Sequence, residues 1–118
     1  MKLKNILIVV RDIQRSKKFY CDLFGLSVLK DFGENVILSE GLVLQAENAF
    51  QEVLNRPISY RGNDAELYFE DSDLCGFIKK WGESIPDSYV YDQTEGVLRM
   101  YDPDGHMIEI RERKANYS

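Results

Sequence analysis

The chain has 118 residues, of which 44% are hydrophobic and 30% charged, and its formal net charge is −5. This composition predicts one globular domain, and the acidic balance argues against nucleic acid and anionic membranes as partners. No segment is apolar for long enough to cross a membrane. The apolar run at residues 6–10 is too short for the core of a signal peptide, so we expect a cytoplasmic protein.

The first half of the chain predicts a strand, a helix and three further strands. The β-branched run at residues 3–10 is typical of a strand. Asp12 is placed to cap a helix, and Gly25 to end it. Short strands are then predicted at residues 26–31, 35–39 and 42–46, because glycines separate these apolar runs.

The second half repeats this order after a connector at about residues 48–64, which contains one short helical pattern. A strand at residues 65–70 precedes a helix that Asp71 or Asp73 caps and Gly82 ends. Three strands follow near residues 88–91, 97–101 and 107–111. The sequence therefore predicts an α+β fold of two βαβββ units, at about residues 1–47 and 65–118. Their curved mixed sheets would form a concave cleft, with the helices outside.

The last predicted strand follows a tight turn and alternates in polarity. Pro103 and Gly105 favour the turn. In the strand, Ile108 and Ile110 share one face, so Glu109 points away from the core. The same alternation places further side chains on surfaces opposite the aliphatic faces of their strands, namely Asn5, Gln45, Glu66, Tyr68, Arg99 and Tyr101.

These residues allow two interpretations. A surface that mixes a few polar groups with apolar ones is typical of a small-molecule site. The same alternation occurs in any sheet with one exposed face, where Glu66 or Glu109 would only pair with Arg99 across strands. If the two carboxylates lie close together, they repel each other unless Arg99, a metal or a cationic ligand lies between them.

The chain resembles the vicinal oxygen chelate superfamily, which includes glyoxalases, bleomycin-resistance proteins and extradiol dioxygenases. The resemblance covers nearly the whole chain and is carried by the first strand with Asp12, by FYCDLFGL at residues 19–26 and by DPDGHMIE at residues 102–109. It implies a homodimer with a site shared between subunits. Metal-dependent members use two His and two Glu ligands, and the resemblance places these positions at Asn5, Gln45, Glu66 and Glu109.

The residues at these four positions are poor metal ligands. Both histidines are absent and one glutamate is Gln45, so we expect no bound cofactor or metal. The alternative is an all-oxygen site for a divalent ion such as Mg²⁺ or Ca²⁺. His106, the only histidine, is predicted to lie at the surface without a catalytic role.

Two functions follow from the resemblance and the residues together. We predict a metal-free protein that binds a hydrophobic or cationic small molecule through Asn5, Gln45, Tyr68, Arg99 and Tyr101. The alternative is a divalent-metal-dependent lyase, isomerase or dioxygenase of the glyoxalase type with a non-standard ligand set. In an enzyme, Glu66 or Glu109 would be the catalytic base. In the dimer, Asn5 and Gln45 of one subunit would face Glu66 and Glu109 of the other.

Overall fold

A computed structural model describes residues 1–85 and 87–113, with the backbone alone at residues 87–89. The chain divides into two compact units, Met1–Ser59 and Tyr60–Ser118. Each unit contains a four-stranded mixed sheet, so the α+β class and the two βαβββ units are confirmed. The cleft between the units stays a prediction. None of the helices in the described part of the chain is both long and apolar enough to cross a bilayer.

The first unit begins with β1 (Ile6–Val10) and α1 (Ile13–Phe24), followed by β2 (Val28–Asp31), β3 (Asn35–Leu38), β4 (Leu42–Ala46) and α2 (Glu47–Leu54). Its sheet has the order β1-β4-β3-β2, with β1 parallel to β4 and the other pairs antiparallel. The α1 helix packs on β4 and buries Phe19 and Tyr20. Aliphatic side chains that point to one side of the sheet complete this core, namely Val10, Val36, Leu38, Leu42 and Leu44.

The second unit contains β5 (Glu66–Asp71), α3 (Leu74–Trp81), β6 (Asp87–Asp92), β7 (Val97–Tyr101) and β8 (Met107–Glu112). The sheet order is β5-β8-β7-β6, and β5 is parallel to β8. Leu74 of α3 is buried together with the inward side chains of β7 and β8, which are Leu98, Met100, Ile108 and Ile110. Because side chains alternate between the two faces of a sheet, this core determines which residues lie on the opposite face.

The two main helices begin alike and end differently. Asp12 and Asp73 each accept a hydrogen bond from the backbone N–H three residues further on, as N-caps do. Gly25 ends α1 in the left-handed region, at φ 69°. Gly82 is the C-cap of α3, as predicted, but it keeps right-handed helical angles and begins a 3-10 turn, Gly82–Ser84.

Two boundaries bear on the predicted site. β1 begins at Ile6, so Asn5 precedes the strand in which it was expected. The strand predicted from residue 26 begins at Val28, because Leu26 follows the helix cap and is buried there. The connector does contain the predicted helix, as α2, although Val53 is exposed.

Candidate functional site

The sheet of the second unit carries a row of polar side chains opposite its aliphatic core. Pairing registers place Tyr68 beside Glu109, and Glu109 beside Arg99, across β5, β8 and β7. The neighbouring row is Glu66, Met107 and Tyr101. We call these six residues, together with Arg111 two positions beyond Glu109 on β8, the polar face. Five of the residues predicted for the site are therefore on one face of one sheet.

Glu109 is the buried centre of the polar face. Only 7% of the residue is exposed, although it is charged. Its Oε1 accepts a hydrogen bond from Nε of Arg99 at 3.1 Å, and its Oε2 lies 3.5 Å from Nη2 of Arg111. Burial of a carboxylate is costly unless the carboxylate is paired with a cation. Here two guanidinium groups pair with the Glu109 carboxylate. The cross-strand pair with Arg99 predicted from the sequence is present.

Arg111 was not singled out from the sequence, yet it completes this cluster. Desolvation opposes the charge of its guanidinium, but the Tyr68 side chain and the Glu109 carboxylate outweigh that effect and hold the pKa of Arg111 above its ordinary value. Tyr68 itself is 54% exposed.

The turn between β7 and β8 is organised by a second buried carboxylate. Oδ1 of Asp102 accepts hydrogen bonds from the backbone N–H groups of Asp104 and His106, both at 2.9 Å. Oδ2 of Asp102 lies 2.7 Å from Nδ1 of His106, and the Asp102 side chain is fully buried. His106 was predicted at the surface. Its side chain is instead 23% exposed and held against Asp102, because the turn brings residues 102 and 106 together.

The same turn contains a group that could hold a metal ion. Ligand atoms of Asp102, Asp104 and His106 lie within 4.8 Å of one another. Both oxygens of Asp102 already have partners inside the turn, which accounts for the cluster without an ion. This group of three residues was not predicted from the sequence. Its hydrogen bonds stabilise the turn, and this explains the arrangement more simply than a metal ion does.

Two connector residues pack on this end of the sheet. The ring of Tyr60 lies 6.2 Å from the ring of His106, in an edge-on arrangement. The guanidinium of Arg61 lies 5.4 Å from the centre of the Tyr101 ring, as in a cation–π contact. The Arg61 side chain also fills the space that a side chain at Gly105 would need. No periodicity in the loop sequence indicated these contacts.

A shallow cavity adjoins the polar face at the start of β5. Its volume is about 270 Å³, and it is lined by Asn63, Asp64, Ala65, Glu66 and Met107. Two of the five lining residues are acidic, whereas the centre of the polar face carries two arginines. The site therefore has regions of opposite charge.

In the first unit, the predicted residues lie in a different setting. Oε1 of Gln45 accepts a hydrogen bond from Nδ2 of Asn35 at 2.6 Å. Asn5 precedes β1, whose first residue pairs with Leu42, so Asn5 and Gln45 are at opposite ends of the β1–β4 pair. The structure describes each unit by itself, and a meeting of Asn5 or Gln45 with Glu66 and Glu109 stays a prediction.

The internal repeat identifies the true counterpart of Glu109. Tyr68 lies five residues before the cap Asp73 and pairs with Glu109. Leu7 lies five residues before the cap Asp12 and pairs with Val43. Val43, rather than Gln45, therefore occupies the position in the first unit that Glu109 occupies in the second. An apolar side chain there offers no metal ligand.

The residues do not fit the metal that the superfamily resemblance implies. The set contains no imidazole, which zinc, nickel and iron favour. Gln45 accepts a bond from Asn35, and both oxygens of Glu109 face guanidinium groups. The Arg99 and Arg111 cations stand beside Glu109 where a metal would have to approach it.

Comparisons with known proteins agree with the fold. Residues 3–114 match the family described as Glyoxalase-like domain. A protein of unknown function from Agrobacterium tumefaciens is 30% identical, with a TM-score of 0.82, 97% of this chain covered and 95% of that chain. No curated protein sequence matches the chain.

Two solved structures of known activity share the fold at lower identity. The trypanothione-dependent glyoxalase I of Leishmania major is 22% identical, with a TM-score of 0.70 and with 95% of this chain and 86% of that chain covered. The fosfomycin resistance protein FosX of Listeria monocytogenes is 13% identical, with a TM-score of 0.70 and with 98% and 95% covered. Identities this low show the fold alone.

Proposed function

Because this chain belongs to the glyoxalase-like domain family of the vicinal oxygen chelate superfamily, we propose that it binds a small molecule and does so without a metal. The observation that carries this proposal is the pairing of Glu109 with Arg99 and Arg111. Each oxygen of this carboxylate already faces a guanidinium group, and the two positive charges beside it oppose the approach of a metal cation. The chemistry that a Lewis acid supplies in metal-dependent enzymes therefore has no support in these residues.

The ligand would lie on the polar face and in the adjoining cavity. Tyr68 offers an exposed ring, and Tyr101 and Met107 offer further apolar surface. Arg99 on β7 and Glu66 on β5, the two strands that flank β8, add polar contacts. Asn5 and Gln45 stay proposed ligand-binding residues of the first unit. A catalytic role falls more readily to Glu66, which is exposed, than to Glu109, whose oxygens both face guanidinium groups.

Elemental analysis tests the metal-free state directly. We expect the protein, purified without chelators, to retain less than about 0.1 equivalents of any divalent metal, because the described residues form no complete ligand set beyond the hydrogen-bonded group in the β7–β8 turn. We also expect about 1 mM Mg²⁺, Mn²⁺, Ni²⁺ or Zn²⁺ to shift the melting temperature by less than about 1 °C, since only bound ligands stabilise the folded state.

One retained equivalent of metal would contradict the proposal and favour a metal-dependent enzyme. Two variants then locate the ion. A metal lost from Glu109→Gln but kept by His106→Ala lies on the polar face. The reverse pattern places it in the turn that contains Asp102 and Asp104. Either result would end the metal-free proposal, and the second would add a site outside the superfamily pattern.

We further propose that the protein is a homodimer whose site is shared between subunits. Large apolar side chains of the first unit are exposed, including Leu7, Val28, Leu29 and Phe32, and surfaces of this kind mark contacts between proteins. Light scattering at micromolar concentration is expected to give twice the chain mass of 13.7 kDa. A mass equal to one chain would reject the shared site and leave the fold unaffected.

A further inference from the structure

We propose that Arg99 binds a carboxylate group of the ligand, so that the preferred ligand is a small organic anion with an apolar body. This inference rests on the proposed ligand-binding function and names the charge of the ligand. It differs from the sequence-based expectation of a hydrophobic or cationic ligand, which considered Glu66 and Glu109 before Arg111 was placed beside them.

The first support is the set of hydrogen-bond donors that Arg99 leaves available. A guanidinium carries five N–H groups in a rigid plane. Arg99 uses Nε for Glu109, and among the described residues its terminal nitrogens make no other hydrogen bond or ion pair. The side chain is 39% exposed, so these nitrogens reach solvent. Two parallel N–H groups at the end of a guanidinium match the two oxygens of a carboxylate.

The second support is that the Arg99 guanidinium is held in place. Its Nε bonds to a carboxylate that is itself buried and fixed on β8. Arg111 contacts the other oxygen of Glu109, which holds that carboxylate from its second side. A charged group that is already oriented loses little conformational freedom when it binds, and this favours affinity.

The third support is the local charge, which opposes the overall charge of the chain. Two guanidinium groups and one carboxylate give the group of Arg99, Arg111 and Glu109 a net charge of +1, although the whole chain has a formal net charge of −5. Glu70, which pairs with Arg111 across β5 and β8, offsets this charge at the Arg111 side and not at Arg99 on β7. Arg61 adds a further cation above Tyr101, two residues from Arg99 on β7. The acidic groups of the cavity, Asp64 and Glu66, lie at the start of β5, two strands away. The anion is therefore expected at β7.

Three matched probes measure the charge preference: 2-naphthoate, its neutral amide 2-naphthamide, and the cation 2-naphthylmethylammonium. Their affinities are measured by calorimetric titration and by amide chemical shifts at about 20 mM and about 150 mM salt. We expect 2-naphthoate to bind about tenfold more tightly than 2-naphthamide, which is the size of one charge-assisted pair. Arg99→Gln should remove that preference. Lys79→Gln, which deletes one exposed positive charge on α3, should keep it.

The outcomes separate the two proposals. If the amide or the amine binds as tightly as 2-naphthoate, ligand binding stands and the anion inference is overturned. If no probe binds or shifts any amide of the polar face at about 1 mM, both proposals fail. Should Arg99→Gln not fold, Arg99→Lys replaces it. This variant keeps the charge but not the fork of N–H groups, so we expect several-fold weaker 2-naphthoate binding, and unchanged affinity would contradict the assignment.

Discussion

Replacing Asp102 by Ala is expected to lower the free energy of unfolding by about 3 kcal/mol, because a buried carboxylate that accepts several hydrogen bonds is removed. The backbone N–H groups of Asp104 and His106 would lose their acceptor inside the turn. The ring of His106 would lose its contact with Oδ2. Urea denaturation monitored by circular dichroism gives the free energy of unfolding, with the denaturant slope as a check on two-state behaviour.

Asp92→Ala is the matched control for this change. The Asp92 side chain also accepts a backbone N–H in a turn, that of Glu95 at 3.0 Å, but this is its single hydrogen bond among the described residues, and Asp92 is half-buried. Its loss should lower stability by about 1 kcal/mol. Asp102→Asn should fall between the two, because the amide oxygen still accepts the backbone bonds. If Asp102→Ala is as mild as Asp92→Ala, the turn does not depend on the buried carboxylate.

Replacing Glu109 by Gln should lower the free energy of unfolding by about 2 kcal/mol, because the buried partner of Arg99 loses its charge. The figure is below that for a fully buried ion pair, since Arg99 is 39% exposed and solvent screens part of the loss. Arg99 and Arg111 would then repel each other, so about 1 M NaCl should recover part of the stability. Urea denaturation at low and high salt measures both effects.

Glu66→Gln is the control, because Glu66 is exposed and has no ion pair among the described residues. We expect its stability to change by less than about 0.5 kcal/mol. The sequence left open whether Glu66 and Glu109 repel each other, in which case Glu109→Gln would leave the protein unchanged or more stable. That result would indicate that the carboxylates dominate the polar face and that the arginine pairing contributes little.

Local sequence patterns predicted the fold of both units. Asp12 and Asp73 cap helices because their side chains bond the backbone nearby, an interaction set by neighbours in sequence. The bounds of β4 and β7 agree with the alternating apolar runs at residues 42–46 and 97–101. Gly82 ends α3 as predicted, but with right-handed angles, because glycine tolerates both hands and tertiary context decides between them.

The candidate site was predictable only in part. Alternation placed Glu109 and Arg99 on one surface, and it also puts Arg111 on the Glu109 face, but alternation alone did not mark Arg111 as a site residue. The contact of His106 with Asp102 required the closed turn, and Arg61 reaches Tyr101 from a loop that has no periodic pattern. The equivalence of Val43 and Glu109 required the pairing registers, because insertions between the strands differ in the two halves.

Because Val43 and Glu109 occupy equivalent positions but differ in character, the proposed site would set the size and the charge of its ligand through different residues. A site with two identical halves would have to change both properties together. One copy of the repeated position carries an aliphatic group, Val43, and the other carries Glu109 with its two guanidinium groups. If both copies border the ligand, a larger or smaller residue at 43 alters the room for the ligand without disturbing the charges. A change at 99 or 111 alters the preferred charge without changing that room. Under the proposed shared site, duplicated units that diverge in this way would allow selection to tune ligand size and ligand charge as independent traits.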